Sequence, residues 1–485
     1  MKRGRSTLAA KATRALGWNF ANTALSKLGG LGIGIMLARL LGPHSFGAYA
    51  VALVALFAMQ NFNELGMSLA IVRWETDPLD IIPTITSVSV LVSAATYVGC
   101  YWVAPAFAAT MGAPAAAGVV RVLALAIVID GFCNTPAGLL QRRFEQGKAA
   151  IAAQVGTWAG TGLTVALACS RHGAMSLAVG QVAGALLTAV LLVAFAPESL
   201  RFGFDRAKAR ALLRFGLPLS GSNLIVFSVT SVDQVIVGHL LGATSLALYV
   251  LALNLSSWPF NMFAPPVTNV APAVFSRLQH DQVAMRGTFL SAVRILTAVA
   301  LPVCLLLGGS ARPLVGFVYG ARWLPAARPL MWLALAAGAR ILLQLAYDYL
   351  VVLARTRLLL GIQLVWLVSL VASLVAATRA DGIYGAGLAQ AGVTIVIVMP
   401  CYLVALQRAG IGLAALGKSL LLPVAAGAGA GLAAATAAAL VPNELIALAV
   451  GGVTTTILIG LIVYRMRSTF AFLRGLQAQA ATPHT

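Results

Sequence analysis

Apolar residues run along the chain in fourteen long stretches, separated by short breaks rich in Gly, Pro, Asp and Arg. The stretches fall at about 16–41, 45–70, 82–108, 117–140, 149–170, 174–197, 212–239, 245–273, 289–310, 327–353, 358–378, 383–406, 414–440 and 444–464. A helical bilayer crossing takes roughly 17–25 mostly apolar residues. Each stretch therefore predicts one transmembrane helix, numbered here as spans 1 to 14. The runs are far too long for barrel strands, so the predicted class is all-α and polytopic. The longest outer connection is about 17 residues, near 310–326, which leaves no room for a soluble domain.

Composition agrees. Of 485 residues, 60% are hydrophobic and 9% charged, and the mean hydropathy is +0.92. Soluble domains carry about 25% charged residues and disordered chains have low hydrophobicity, so both classes are excluded. The 33 Lys and Arg against 13 Asp and Glu give a net charge of +20. In a soluble chain that would point to nucleic acid; here the positions decide otherwise. Alternation through fourteen spans puts 24 basic residues on the side of both termini, six on the other and three (Lys27, Arg121, Arg340) inside spans. The positive-inside rule then predicts cytoplasmic termini and removes the need for a nucleic-acid partner. The basic start MKRGRS leads into an apolar stretch reaching about Leu41. That is too long for a cleaved signal and predicts a retained first span. The five cysteines are scattered without a CxxC pair, and no GxxxxGK[ST], GxSxG or HExxH occurs. No cofactor or metal is expected.

A shift of 200 residues aligns LARLLGPHSFGAYAVAL (37–53) with VGHLLGATSLALYVLAL (237–253), matching at seven of seventeen positions, including Gly42/Gly242, Ser45/Ser245 and Tyr49/Tyr249. Six spans separate the copies, so both have one membrane orientation. This predicts two parallel-repeat lobes related by an axis along the membrane normal. The expected division is residues 1–197 (spans 1–6), a basic cytoplasmic linker 198–214, residues 215–406 (spans 7–12), two added spans in 407–464, and a tail 465–485.

Polar residues inside a bilayer are costly and face a bundle interior or a wet cavity. Span 1 carries Asn19, Asn22 and Lys27 on one helical face, with Lys27 roughly 16 Å deep at 1.5 Å rise per residue. Span 2 carries Asn61 and Glu64, span 7 Asn223 and Asp233, span 8 Asn261, span 4 Asp130, and span 10 Arg340 and Gln344. These are the candidate translocation residues of a cavity between lobes; the competing reading is ion pairing and hydrogen bonding between helices. Lys27 needs an anion at that depth, whether Glu64, Asp233 or a substrate. Glu64, Asp130 and Asp233 are the candidates for proton or sodium coupling.

The segments LARLLGPHSFGAYAVA and FGLPLSGSNLIVFSVTSVDQVIVGHLLGATSLALYVLA (215–252), with PLVGFVYGARWLPAARPLMWLALAA (313–337), resemble the polysaccharide flippases of the multidrug/oligosaccharidyl-lipid/polysaccharide exporter superfamily. The resemblance covers nearly the whole chain. It implies a transporter, not an enzyme, in a bacterial inner membrane. The implied substrate is an undecaprenyl-diphosphate-linked oligosaccharide repeat unit for O-antigen, capsule or exopolysaccharide, handled alongside membrane lipids and a polysaccharide polymerase or export machinery. Three alternatives stand beside it: a flippase of lipid II or another lipid-linked precursor, a drug/cation antiporter, and a membrane glycan polymerase.

Overall fold

The computed structural model describes residue 32, residues 34–61, residue 71 and residues 78–268, 271–278 and 281–465. Among these residues every long element is a helix and there is no strand. Eleven helices are long and apolar enough to cross a membrane. Three of them, Gly34–Asn61, Ser231–Phe263 and Thr356–Arg408, contain a reversal at a glycine with positive φ: Gly42 (+69°), Gly242 (+79°) and Gly382 (+60°). Divided at these turns, the helices give fourteen segments in the predicted order, the first described only from Gly34.

The reversals follow from the sequence. A left-handed backbone is open to glycine because it has no Cβ to clash. Positive φ recurs at Gly42, Gly112 and Gly173 between spans 1–2, 3–4 and 5–6, and at Gly242, Gly320 and Gly382 between spans 7–8, 9–10 and 11–12. The pairs are spaced by 200, 208 and 209 residues, so the second half repeats the turns of the first. All six lie at one end of the molecule, here the turn end; the opposite, arginine-rich end is the basic end.

Inside the first lobe, spans 5 and 6 approach through small residues. A Cβ on Gly160 would meet the Gly180 carbonyl oxygen at 2.5 Å and the Gly184 Cα at 2.9 Å. Such close approach suits a bilayer, where packing and not water expulsion drives helix association. Spans 13 (Leu413–Leu440) and 14 (Glu444–Arg465) dock on span 9 (Gln282–Gly309) of the second lobe. Gly427 and Gly431 lie against Leu301 and Leu305, and Gly309 lies against the Gly431 carbonyl. The basic connection after span 6 is partly helical: a short 3-10 turn, Pro197–Ser199, precedes a helix that starts at Arg206 and continues without interruption into span 7. Its Ala209 and Leu212 are buried with Ile81, Ile85 and Val88 of the first lobe, and Lys208 Nζ donates to the Asp80 carbonyl at 2.9 Å.

The lobes meet at the turn end. Buried Trp323 donates its Nε1–H to the Ala38 carbonyl at 3.0 Å and sets its ring edge-on to Phe46, 5.5 Å between centroids. Arg39 donates from Nε to the Val318 carbonyl at 2.7 Å, capping the short helix Ala311–Tyr319 where its carbonyls lack partners. Gly47 packs so closely on the Ala243 carbonyl that a Cβ there would stand 2.5 Å from the oxygen.

Candidate functional site

A cavity of about 270 Å³ opens inside the second lobe, bounded by spans 7, 8, 10, 11 and 12, where a cluster of polar groups is set among Leu253, Leu343, Leu367 and Leu370. Asp233 of span 7 is buried, at 3% exposure. Its Oδ2 accepts from Tyr249 Oη at 3.0 Å and from Gln390 Nε2 at 3.0 Å, and its Oδ1 from the Gln234 amide at 2.8 Å. Three donors compensate the burial of a carboxylate that hydrocarbon would otherwise penalise heavily. Gln390 sits one turn before a π-helical stretch, Val393–Val398. Such bulges break the regular ladder and cluster at functional positions.

Arg340 of span 10 projects into the cavity with an exposed side chain, and its guanidinium carbon lies 5.7 Å from the centre of the Phe260 ring. Asp233 lines the same cavity. Gln344, Tyr347, Gln363, Trp366 and Tyr402 line the rest of the polar wall. The Trp366 Nε1–H is buried with no hydrogen-bond partner among the described residues, a donor left over for a ligand. Gln344 already donates from Nε2 to Asp348 Oδ1 at 3.2 Å; an arginine, the Gln363 amide, two phenols and an indole suit a ligand carrying both negative charge and hydroxyl groups. Among the described residues no group of His, Cys, Asp or Glu could hold a metal ion.

Of the residues singled out by sequence, Asp233 and Arg340 come together here, within one lobe. Asp130 is in the first lobe, where its Oδ2 accepts from Gln60 Nε2 at 2.8 Å. Asn61 donates to the Phe57 carbonyl of its own helix at 2.7 Å. Asn261 is exposed on span 8, beside Phe260. Asn223 belongs to the helical backbone of span 7, and its side chain lies outside the described set. Asn19, Asn22, Lys27 and Glu64 lie outside the described residues. Sequence reasoning missed Gln390, Gln363, Tyr347, Trp366 and Tyr402. One signal was available for two of them: Gln181/Gln390 and Gln154/Gln363 keep the 209-residue spacing of the Gly173/Gly382 turns.

These features define the class: a polytopic, two-lobed helical membrane bundle with a cavity lined in part by charged, hydroxyl and amide groups. Its fold is that of the lipid II flippase MurJ in an inward closed conformation, with a TM-score of 0.73 at 15% identity over 91% of this chain and 99% of that one. An inward-facing multidrug resistance MATE family transporter of the MOP superfamily shares it, with a TM-score of 0.63 at 18% identity over 81% of this chain and 96% of that one. Residues 36–328 match the polysaccharide biosynthesis protein family, and the chain belongs to that family. Among its relatives, the succinoglycan biosynthesis transport protein ExoT of Rhizobium meliloti is 26% identical over 67% of this chain and 66% of its own length. The lipopolysaccharide biosynthesis protein WzxC of Escherichia coli is 24% identical over 60% of this chain and 61% of its own. The chain thus spans slightly less than two thirds of the length of these two relatives.

Proposed function

We propose that the protein is a flippase that moves an undecaprenyl-diphosphate-linked oligosaccharide repeat unit across the bacterial inner membrane for polysaccharide biosynthesis. The observation that carries this reading is Arg340, a cation exposed to a polar cavity at membrane depth in a member of the polysaccharide biosynthesis family. A diphosphate-linked glycan cannot cross about 30 Å of hydrocarbon unaided. Arg340 pairs with a phosphate through charge-assisted hydrogen bonds, while Gln344, Gln363 and the tyrosines exchange hydrogen bonds with sugar hydroxyls. The lipid tail stays in the bilayer between the lobes. With both termini cytoplasmic, the turn end faces outward and the contacts of Trp323 and Arg39 close the path there. Rocking the lobes about that seal exposes the head group outside. Asp233 takes up the coupling proton or sodium ion, exchanging it as Tyr249 and Gln390 shift. A cation-exporting antiporter fits less well, because Arg340 repels a cationic cargo.

The test is the fate of lipid-linked intermediates after deletion of the gene. Complete repeat units accumulating on the cytoplasmic leaflet, and restored export with the wild-type gene, support the flippase. Exported but unpolymerised units would instead identify a polymerase. Accumulated lipid II would identify a peptidoglycan-precursor flippase.

A further inference from the structure

A second cavity, of about 200 Å³, lies at the basic end of the second lobe and shares no residue with the polar cavity. Three arginines converge on it from three different connections: Arg286 near the start of span 9, Arg355 between spans 10 and 11, and Arg408 at the end of span 12. No carboxylate lines it. The pairs Arg143–Glu198 and Lys148–Glu145 lie in the first lobe, and no carboxylate among the cavity's lining residues neutralises these three arginines. Nearby Asp281 is engaged elsewhere, its Oδ1 accepting from the Val283 and Ala284 amides at 3.1 and 3.0 Å as the cap of span 9.

Arg286 is held in place. Its Nη2 donates to Gln282 Oε1 at 3.0 Å, and its guanidinium fills the space that a Cβ on Gly410, at φ +87°, would occupy. Its Nε–H is buried with no hydrogen-bond partner among the described residues. A buried guanidinium N–H without an acceptor is expensive. The three guanidinium groups carry like charge, although Arg355 and Arg408 are exposed and water screens part of their repulsion. A dianionic group entering here offers Arg286 the missing acceptor and offsets the like charges, because guanidinium forks match phosphate oxygens in geometry and charge.

The geometry points to a binding site for a phosphate-bearing group at Arg286, Arg355 and Arg408, distinct from the polar cavity and independent of the flippase reading. The phosphate is supplied either by the head group of an anionic membrane lipid or by a soluble phosphate compound. Basic pockets between membrane helices are suited to the first.

The experiment uses the full-length protein in two arms. Native mass spectrometry after exchange into mixed phosphatidylglycerol and phosphatidylcholine reports retained lipid. Calorimetric titration with inorganic pyrophosphate, in discs of phosphatidylcholine alone, reports soluble phosphate. The wild type is expected to bind in at least one arm, and the arm identifies the source. The double variant R286Q/R408Q is expected to bind about tenfold more weakly, as for a lost charge-assisted bond. If that variant fails to fold, R355Q replaces it, since Arg355 is an exposed connection residue. R357Q removes a neighbouring exposed arginine that does not line the cavity, and its binding is expected to equal that of the wild type. Absence of binding in both arms overturns the proposal. So does equal binding by the pocket variants, or an equal loss in R357Q, which would reduce the effect to general surface charge.

Discussion

The two lobes are built on one plan and equipped differently. Tyr49 of the first lobe donates to Gln181 Oε1 at 2.9 Å; its repeat mate Tyr249 and the corresponding Gln390 both donate instead to Asp233, which stands between them. The 200-residue register places Ile33 opposite Asp233, so the first lobe has no carboxylate at the matching position. Gln60 of span 2 meets Asp130 of span 4, whereas its mate Phe260 meets Arg340 of span 10. At the basic end the contrast is reversed. The first lobe pairs Arg143 with Glu198 and Lys148 with Glu145, while the second leaves three arginines around a cavity without a carboxylate. Among the described residues, the two lobes thus share the turns and the tyrosine–glutamine frame and differ in the charged groups set around them.

The largest effect tests that asymmetry. Replacing Arg340 by Gln is expected to lower glycan export about ten- to hundredfold at equal membrane abundance, from the value of a charged hydrogen bond. Asp130→Asn in the first lobe is expected to cost far less. Export is measured as surface polysaccharide in a complemented deletion strain, and equal losses would end the claim that the second lobe holds the chemistry. Next comes the seam. Trp323→Ala removes a ring that is 1% exposed and is expected to cost about 3–5 kcal/mol, as for other large buried aromatics. Because that ring joins the lobes, the cost falls on the closed turn end. Spin labels on H44C and T244C are expected to separate in W323A, and an unchanged distance distribution would show that each lobe holds its position without the seam.

Much of this architecture was legible in the sequence, and the limit of legibility has a physical cause. Hydropathy located the spans because a bilayer enforces length and apolarity on every crossing. The repeat was visible in spans 1–2 and 7–8 because a turn needing positive φ retains its glycine. Beyond span 2 the 200-residue register fails. The spacing grows to 208 and 209 as connections lengthen at no cost to the helices, and the match between Gln181 and Gln390 drops out of the shift. Asp233 and Arg340 were recognisable as costly groups. Their helical faces did not say which neighbour they meet, since spans 7 and 10 are brought together only by tertiary packing. The connection at 198–214 reads as a basic linker, yet Arg and Lys have good helix propensity, and from Arg206 it extends span 7.

A smaller effect separates the paired tyrosines. Tyr249 is fully buried, at 0% exposure, and Tyr249→Phe leaves Asp233 short of a donor, with an expected cost of about 1–3 kcal/mol. Tyr49 is partly exposed and serves a neutral amide, so Tyr49→Phe is expected to cost about 0.5–1 kcal/mol. Melting temperatures of the two purified variants in one detergent order them. An equal shift would mean that Asp233 adds nothing to the frame it occupies.

The smallest effect concerns the paired arginine of the first lobe. The backbone amide of the Pro197–Ser199 turn, and then Arg143, hold the Glu198 carboxyl below the usual carboxylate range. A lowered folded value means that the contribution is fully present above the unfolded carboxylate value of about 4.3. It is lost as the pH falls through the lower folded value. Acidification from pH 7 towards 3 is therefore expected to loosen the Arg143–Glu198 tie between the end of span 4 and the turn after span 6. Hydrogen exchange at residues 196–200 is expected to speed up over this range in the wild type, and to start faster and change little in Glu198→Gln. The counterpart connection at Gly410 has no such carboxylate among the described residues lining its cavity and is expected to show no matching acid-dependent change. Equal acceleration at both connections would assign the effect to general acid loosening of the bundle, and would remove charge pairing from the list of differences between the lobes.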